Sequence, residues 1–237
     1  MASIRSLRVM SYSSPKTVKG ESVGYLTLIQ HLLPASLSGR NVCPYSTTGC
    51  RSGCLNTAGR GGIIKRGETT NAIQAARLRR TMSWLNDPAK HIDLLEQDIR
   101  LGREIAHERG LKLAIRLNGT SDIDWGLTRL FAQFRDVQFY DYTKAPFRAR
   151  ERTIAQNPNY SVTYSVSEKP DSLDEAREYL AHGINAAVVF KNKPTTFDGL
   201  PVIDGDAHDL RFLDPIGCYV GLKAKGPALR DMSGFVR

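Results

Sequence analysis

Between Leu111 and Leu222 short apolar runs alternate with amphipathic stretches, and that rhythm restricts the fold more than any other feature of the chain. The runs are Leu111–Leu117, Val137–Tyr140, Tyr160–Val166, Ala186–Phe190, Pro201–Ile203 and Cys218–Leu222. Helical patterns over Trp125–Phe134, Ala145–Gln156 and Ser172–His182 separate the first four. Strands and helices alternating at this spacing imply parallel pairing through right-handed crossovers. The expected fold class is α/β: a single TIM-like parallel β/α barrel, partial or closed, with an N-terminal extended region and a cysteine-rich loop. At 237 residues, with no internal repeat or long linker, residues 1–237 read as one domain whose βα repeats begin at about residue 111.

Ahead of the repeats, Leu7–Tyr12 and Gly24–Leu33 read as extended, with Pro15 and Gly20 punctuating the join. Ile73, Ala76, Arg77, Arg80 and Trp84 recur at helical spacing, with Thr69 or Thr70 as the expected cap. A second helix is expected from about Pro88 to Arg109, with Ile92, Leu95, Ile99 and Ile105 on one side and Gly110 just past its end.

The cysteine-cluster loop spans 41–62. Cys43, Cys50 and Cys54 lie at C-x6-C-x3-C spacing, and Cys218 is the only other cysteine. Three thiols in one short polar stretch suit a shared metal better than disulfides, which need pairs and an oxidising compartment. The spacing is neither the paired pattern of a structural zinc ribbon nor the C-x2-C-x2-C run of a ferredoxin. Two sites remain open: a [4Fe–4S] cluster whose fourth iron binds something other than cysteine, or a zinc ion completed by His208 or water. The lack of a histidine at the usual zinc spacing favours iron–sulfur. Cys218 opens its strand, whereas the other three follow theirs, so parallel geometry sets it at the opposite end of the sheet as a structural thiol.

Polar residues gather after each strand, where parallel α/β folds place their sites. The candidate catalytic residues are Asn118, Asp122, Asp141, Lys144, Glu168, Asp204 and His208. Gly59, Arg60, Gly61 and Gly62 form a glycine turn able to wrap N–H groups around an anion or cofactor. The formal charge of +9 makes nucleic acid or a nucleotide a candidate partner. Arg77, Arg79, Arg80, Arg148, Arg150 and Arg152 lie on two helices, where phosphate contact is one reading and a solvated helical face is the favoured reading of each residue singly. MASIRSLRVM has no cationic segment followed by an apolar one, and no run approaches the ~18 apolar residues that span a bilayer, so no membrane and a cytoplasmic location are expected.

The segments CPYSTTGCRSGCLNTAGRG, RLNGTSDIDW, YDYTK, SVSE and PVIDGDAHDLRFLDP together resemble a bacteriophage family labelled gene product eighty-eight, from about Leu33 to Gly226. The resemblance implies a phage-encoded protein with a cysteine cluster, working in the host cytoplasm, and brings no reaction with it. More distantly, a thiolate loop early in a βα chain is similar to the layout of radical-SAM enzymes. Their C-x3-C-x2-C spacing and GGE motif are absent, which leaves SAM without a motif. The reading that joins these features is an iron–sulfur enzyme with an open-site [4Fe–4S] cluster acting on a nucleotide or nucleic-acid-related substrate. The alternative is a non-catalytic nucleic-acid-binding protein with a structural iron–sulfur or zinc site.

Overall fold

The computed structural model of the chain describes residues 6–12 and 15–237. Residues 1–5, half of the stretch read as carrying no leader, lie outside them. The elements in chain order are β1 (Met10–Ser11), α1 (Pro15–Glu21), β2 (Tyr25–Gln30), α2 (Thr48–Ser52), α3 (Ala72–Asn86), α4 (Pro88–Glu108), β3 (Lys112–Arg116), α5 (Leu130–Gln133), β4 (Gln138–Thr143) and α6 (Phe147–Gln156). They continue with β5 (Tyr160–Ser165), α7 (Ser172–Ala181), β6 (Ala186–Phe190), β7 (Thr196–Phe197), β8 (Leu200–Asp204) and β9 (Tyr219–Lys223).

All nine strands form one sheet in the order β1-β2-β3-β4-β5-β6-β9-β8-β7. Every pairing from β2 across to β8 is parallel, and the two-residue strands β1 and β7 add antiparallel edges. From β2 to β6 the sheet grows in one direction, so right-handed crossovers carry the intervening helices to the same face. α4 packs on β2 and β3, α6 on β5, and α7 on β5 and β6. Their core alternates along the strands: Leu26 and Leu28, Leu113 and Ile115, Val162 and Tyr164, Ala186 and Val188 all point into one apolar cluster. The opposite face is covered by the β8–β9 connection, where Leu210 and Phe212 pack on Tyr25, Ala114 and Tyr140. A sheet covered on both sides explains why its strands read as nearly continuous apolar runs.

Of the partial or closed barrel expected, closure is corrected here: among the described residues β1 and β7 each pair with a single neighbour, so the mostly parallel sheet is open. The expected cysteine loop is corrected too, since the stretch carries α2 and two 3-10 turns, Leu55–Thr57 and Gly59–Gly62. Between the two N-terminal strands α1 stands where Pro15 and Gly20 suggest a break. Proline is tolerated in a first helical turn, and Gly20 lies so close to β2 that a Cβ there would meet Thr27 Oγ1 at 2.8 Å. The helix expected over Trp125–Phe134 is a 3-10 turn, Trp125–Leu127, followed by the short α5. Asn71 rather than Thr69 or Thr70 caps α3, its side chain accepting from Gln74 N. Among the described residues no helix is long and apolar enough to cross a membrane.

The N-terminal strand is held by one carboxylate. Buried Asp98 of α4 accepts from the backbone N–H groups of Arg8 (2.9 Å), Val9 (2.8 Å) and Met10 (2.7 Å). Asp98→Ala leaves those donors without their acceptor, at about 1–3 kcal/mol each for those that stay buried. Urea unfolding should show a loss of about 2–4 kcal/mol; a change within about 0.5 kcal/mol, the range of a neutral surface substitution, would show that the tie does not matter.

Candidate functional site

The cysteine stretch leaves the C-terminal end of β2 and is fastened to the loops that leave β3 and β5. Asp122 N donates to Val42 O (2.9 Å), Thr120 Oγ1 to Leu32 O (2.5 Å), and Cys43 Sγ lies 3.6 Å from Thr120 O. On the other side Glu168, just past β5, accepts from Thr47 Oγ1 and from Gly49 N, both at 2.7 Å. Thr47 caps α2 through Cys50 N. Those donors hold the Glu168 carboxyl below its usual range against a partial burial that raises it. Gly49 permits the contact that follows: a Cβ there would meet Ser233 Oγ at 2.2 Å and Phe235 Cβ at 2.6 Å. The C-terminal segment thus lies over the cysteine turn. Val236 bridges to Val189 at the end of β6, and Arg237 Nη2 donates to Ser167 O.

Cys43, Cys50 and Cys54 are all free thiols and partly buried. Burial above all pushes Cys43 up to about 12; the N–H of Ala35 opposes this, while Cys50 and Cys54 add to it. Cys54 is raised by burial, with Cys50 adding and Arg77 opposing. The three sulfurs therefore lie within electrostatic reach of one another, and burial favours the protonated thiol at Cys43 and Cys54. Among the described residues no group of three or more His, Cys, Asp or Glu side chains is gathered closely enough to hold one metal ion. Cys218 sits before β9, at the opposite end of the parallel strands, with Sγ 3.1 Å from Pro215 O.

Of the residues singled out after the strands, five come together beside this turn. Asn118 donates from N and Nδ2 to Asp141, while its Oδ1 accepts from Ser121, Ile123 N and Trp125 Nε1. Asp122 accepts from Thr143 Oγ1, Lys144 N and buried Arg150. Burial pushes Asp141 up to about 7, against the pull of Arg116 and the Asn118 N–H. Lys144 lies under the C-terminal segment, its Nζ 2.6 Å from Ser165 Oγ and 5.0 Å from the Phe235 ring centre. Burial lowers the Lys144 ammonium, with Cys50, Asp122 and Glu168 opposing. Asn118 and Asp122 are engaged in holding the loop, whereas Lys144 lies within electrostatic reach of both Cys50 and Glu168.

Asp204 and His208 stand apart. Asp204 bonds Lys193 and Asp206 N, in a group where Asp206 also meets Lys193 and Lys225. His208 Nδ1 accepts from Leu210 N within the β8–β9 connection. β8 lies outside β9 in the sheet, which sets Asp204 toward the far edge, whereas the connection carrying His208 returns across the sheet face, where Asp209 meets Arg116 at the end of β3. The glycine turn is clamped by its carbonyls: Asn71 Nδ2 donates to Gly61 O (3.1 Å) and Gln74 Nε2 to the same oxygen (2.8 Å), while Gly59, Arg60 and Gly62 remain exposed. The six arginines read as solvated faces divide. Arg79, Arg148 and Arg152 are exposed, Arg150 is buried in ion pairs with Asp122 and Asp124, and Arg77 and Arg80 turn inward.

Among comparisons with known proteins, the model of a family described as Gene product 88 matches residues 8–237, and the chain belongs to that family. Neither a curated protein nor a solved structure matches it. The layout likeness to radical-SAM enzymes finds no support among these comparisons.

Asp141 supplies a pH signature. Its folded pKa lies above the unfolded value of 3.8, so its contribution to stability is full below about pH 4 and is lost as pH rises through about 7. Wild type should therefore lose stability steadily relative to Asp141→Asn, whose amide does not titrate, from about pH 4 to about pH 7. A difference independent of pH in denaturant titrations would place the ionised carboxylate in the folded state throughout.

Proposed function

We propose that this Gene product 88 protein is an iron–sulfur enzyme in which Cys43, Cys50 and Cys54 hold a [4Fe–4S] cluster with one iron left open to substrate. The carrying observation is the thiol triad itself. Three free cysteines lie within electrostatic reach of one another at the C-terminal ends of parallel strands, with Cys218 at the other end of the sheet. In such a cluster each thiolate binds a different iron, so the sulfurs stand wider apart than around one ion. Zinc would need a fourth ligand at the same centre, whereas such a cluster uses three thiolates and leaves one iron open.

An iron without a protein ligand supplies Lewis-acid or one-electron chemistry to whatever binds there. The chain's own residues prepare that place. Glu168 and Thr47 set the turn carrying Cys50. The C-terminal segment with Phe235 shields it from water on one side, and Lys144 offers a buried cation beside Cys50. Asp141 is positioned to hold or release a proton near neutrality. The half-barrel arrangement, with its mouth at the strand C-termini, belongs to this reading, as does a nucleotide or nucleic-acid-related substrate, supported by the +9 charge.

Protein purified without oxygen should be brown and carry about four iron and four sulfide per chain. Ser at Cys43, Cys50 or Cys54 should abolish most of that content, while Cys218→Ala should retain it. Colourless protein with stoichiometric zinc would refute the cluster and favour a nucleic-acid-binding protein with a structural metal.

A further inference from the structure

Arg77 and Arg80 are one turn apart on α3 and share a face. That face is turned toward the exit of β2 by two contacts: Leu33 N donates to Thr81 Oγ1 (2.7 Å), and Arg77 Nη1 donates to Asn56 O (2.8 Å). Among the described residues neither guanidinium pairs with a carboxylate. Arg77 bonds only the neutral Asn56, and its buried Nε has no hydrogen-bond partner. Arg80 forms no ion pair and no hydrogen bond among the described residues. The acid that acts on Arg80, Asp98, already spends its oxygens on the N–H groups of residues 8–10. Burial lowers both guanidiniums, and each is further lowered by an arginine neighbour.

His31, the residue after β2, lies within electrostatic reach of both arginines. Burial first, then Arg77, Arg116 and Arg80, bring it down to about 3, with Asp209 opposing, so it stands as neutral imidazole. Its Nδ1 lies 3.4 Å from Ser11 Oγ. Arg116 is paired with Asp209 at 2.7 Å, whereas among the described residues Arg77 and Arg80 have no direct ion pair, Arg80 feeling the more distant charge of Asp98. A partly buried cation without a paired carboxylate is costly, and an oxyanion reduces that cost with charge-assisted hydrogen bonds.

We infer that Arg77, Arg80 and His31 form an anion subsite beside the cysteine turn, which takes the phosphate or carboxylate group of the substrate. Arg77 sits at the junction, between this space and Cys54. Two guanidiniums suit planar or tetrahedral oxyanions through paired N–H groups, and the imidazole adds one donor. The inference rests on the proposed site only for its purpose, since the subsite is assembled by α3 and β2 without the metal.

The test is calorimetric titration with inorganic phosphate, deoxyadenosine monophosphate and glutamate, on protein with and without chelator treatment, with iron measured on each sample. Saturable one-to-one binding of a phosphate probe, or of glutamate if the group is a carboxylate, is expected. Arg80→Gln should weaken it roughly ten- to hundredfold, Arg80→Lys several-fold, and Arg79→Gln, the same charge removed from the exposed face, not at all. Should the glutamine variant fold poorly, the lysine variant carries the comparison. Absence of saturable binding by all three probes, or equal weakening in Arg79→Gln and Arg80→Gln, overturns the inference. Arg80-dependent binding in samples that never hold iron would keep the subsite and remove the cluster.

Discussion

The Glu168 carboxylate receives Thr47 Oγ1 and Gly49 N at the start of a five-residue helix, and the placement of the cysteines depends on it. A helix so short cannot persist by itself, because nucleation costs more than its few hydrogen bonds return. Its position comes instead from this acceptor, from the Asp122–Val42 contact on the other side, and from the C-terminal segment packed against Gly49. Three distant parts of the chain thereby close around one turn. The sheet makes this geometry attainable, since parallel strands deliver all their outgoing loops to the same end.

The same interaction ties electrostatics to structure. Glu168 stays ionised because its donors favour the charged form, and it faces the Lys144 ammonium rather than water alone. Lys144 in turn reaches Ser165 Oγ and the ring of Phe235, so the tail and the end of β5 report on each other. Asn118 does comparable work for β3 and β4: a single side chain satisfies Asp141, Trp125 and its own loop. The result is one rim that carries the three free thiols, with Arg77 and Arg80 of α3 beside it.

Much of the scaffold was legible in the residues. α4 announces itself through Asp87-Pro88, the Ile and Leu spacing, and Gly110 at φ +65°, and β6 spans the residues its apolar run suggests. Strand order was not legible. Periodicity identifies β8 and β9 but does not reveal that β9 pairs with β6 and pushes β8 outward, and this is why Asp204 leaves the site. Sheet closure was equally hidden, because it depends on what the terminal strands meet. Arg77 and Arg80 were misread since a charged residue on a helix normally faces water. Only the contacts of Thr81 and Asn56 reveal that this face turns inward. The tail over Gly49 left no mark in the pattern at all.

An open iron beside a substrate pocket is the central claim, and Mössbauer spectroscopy of protein loaded with isotopically enriched iron tests it most directly. A cluster held by Cys43, Cys50 and Cys54 alone should show one iron of the four with parameters distinct from the rest, and that component alone should move when a small ligand such as cyanide is added. Four equivalent irons, unmoved by the ligand, would mean a fully ligated cluster and would contradict the account.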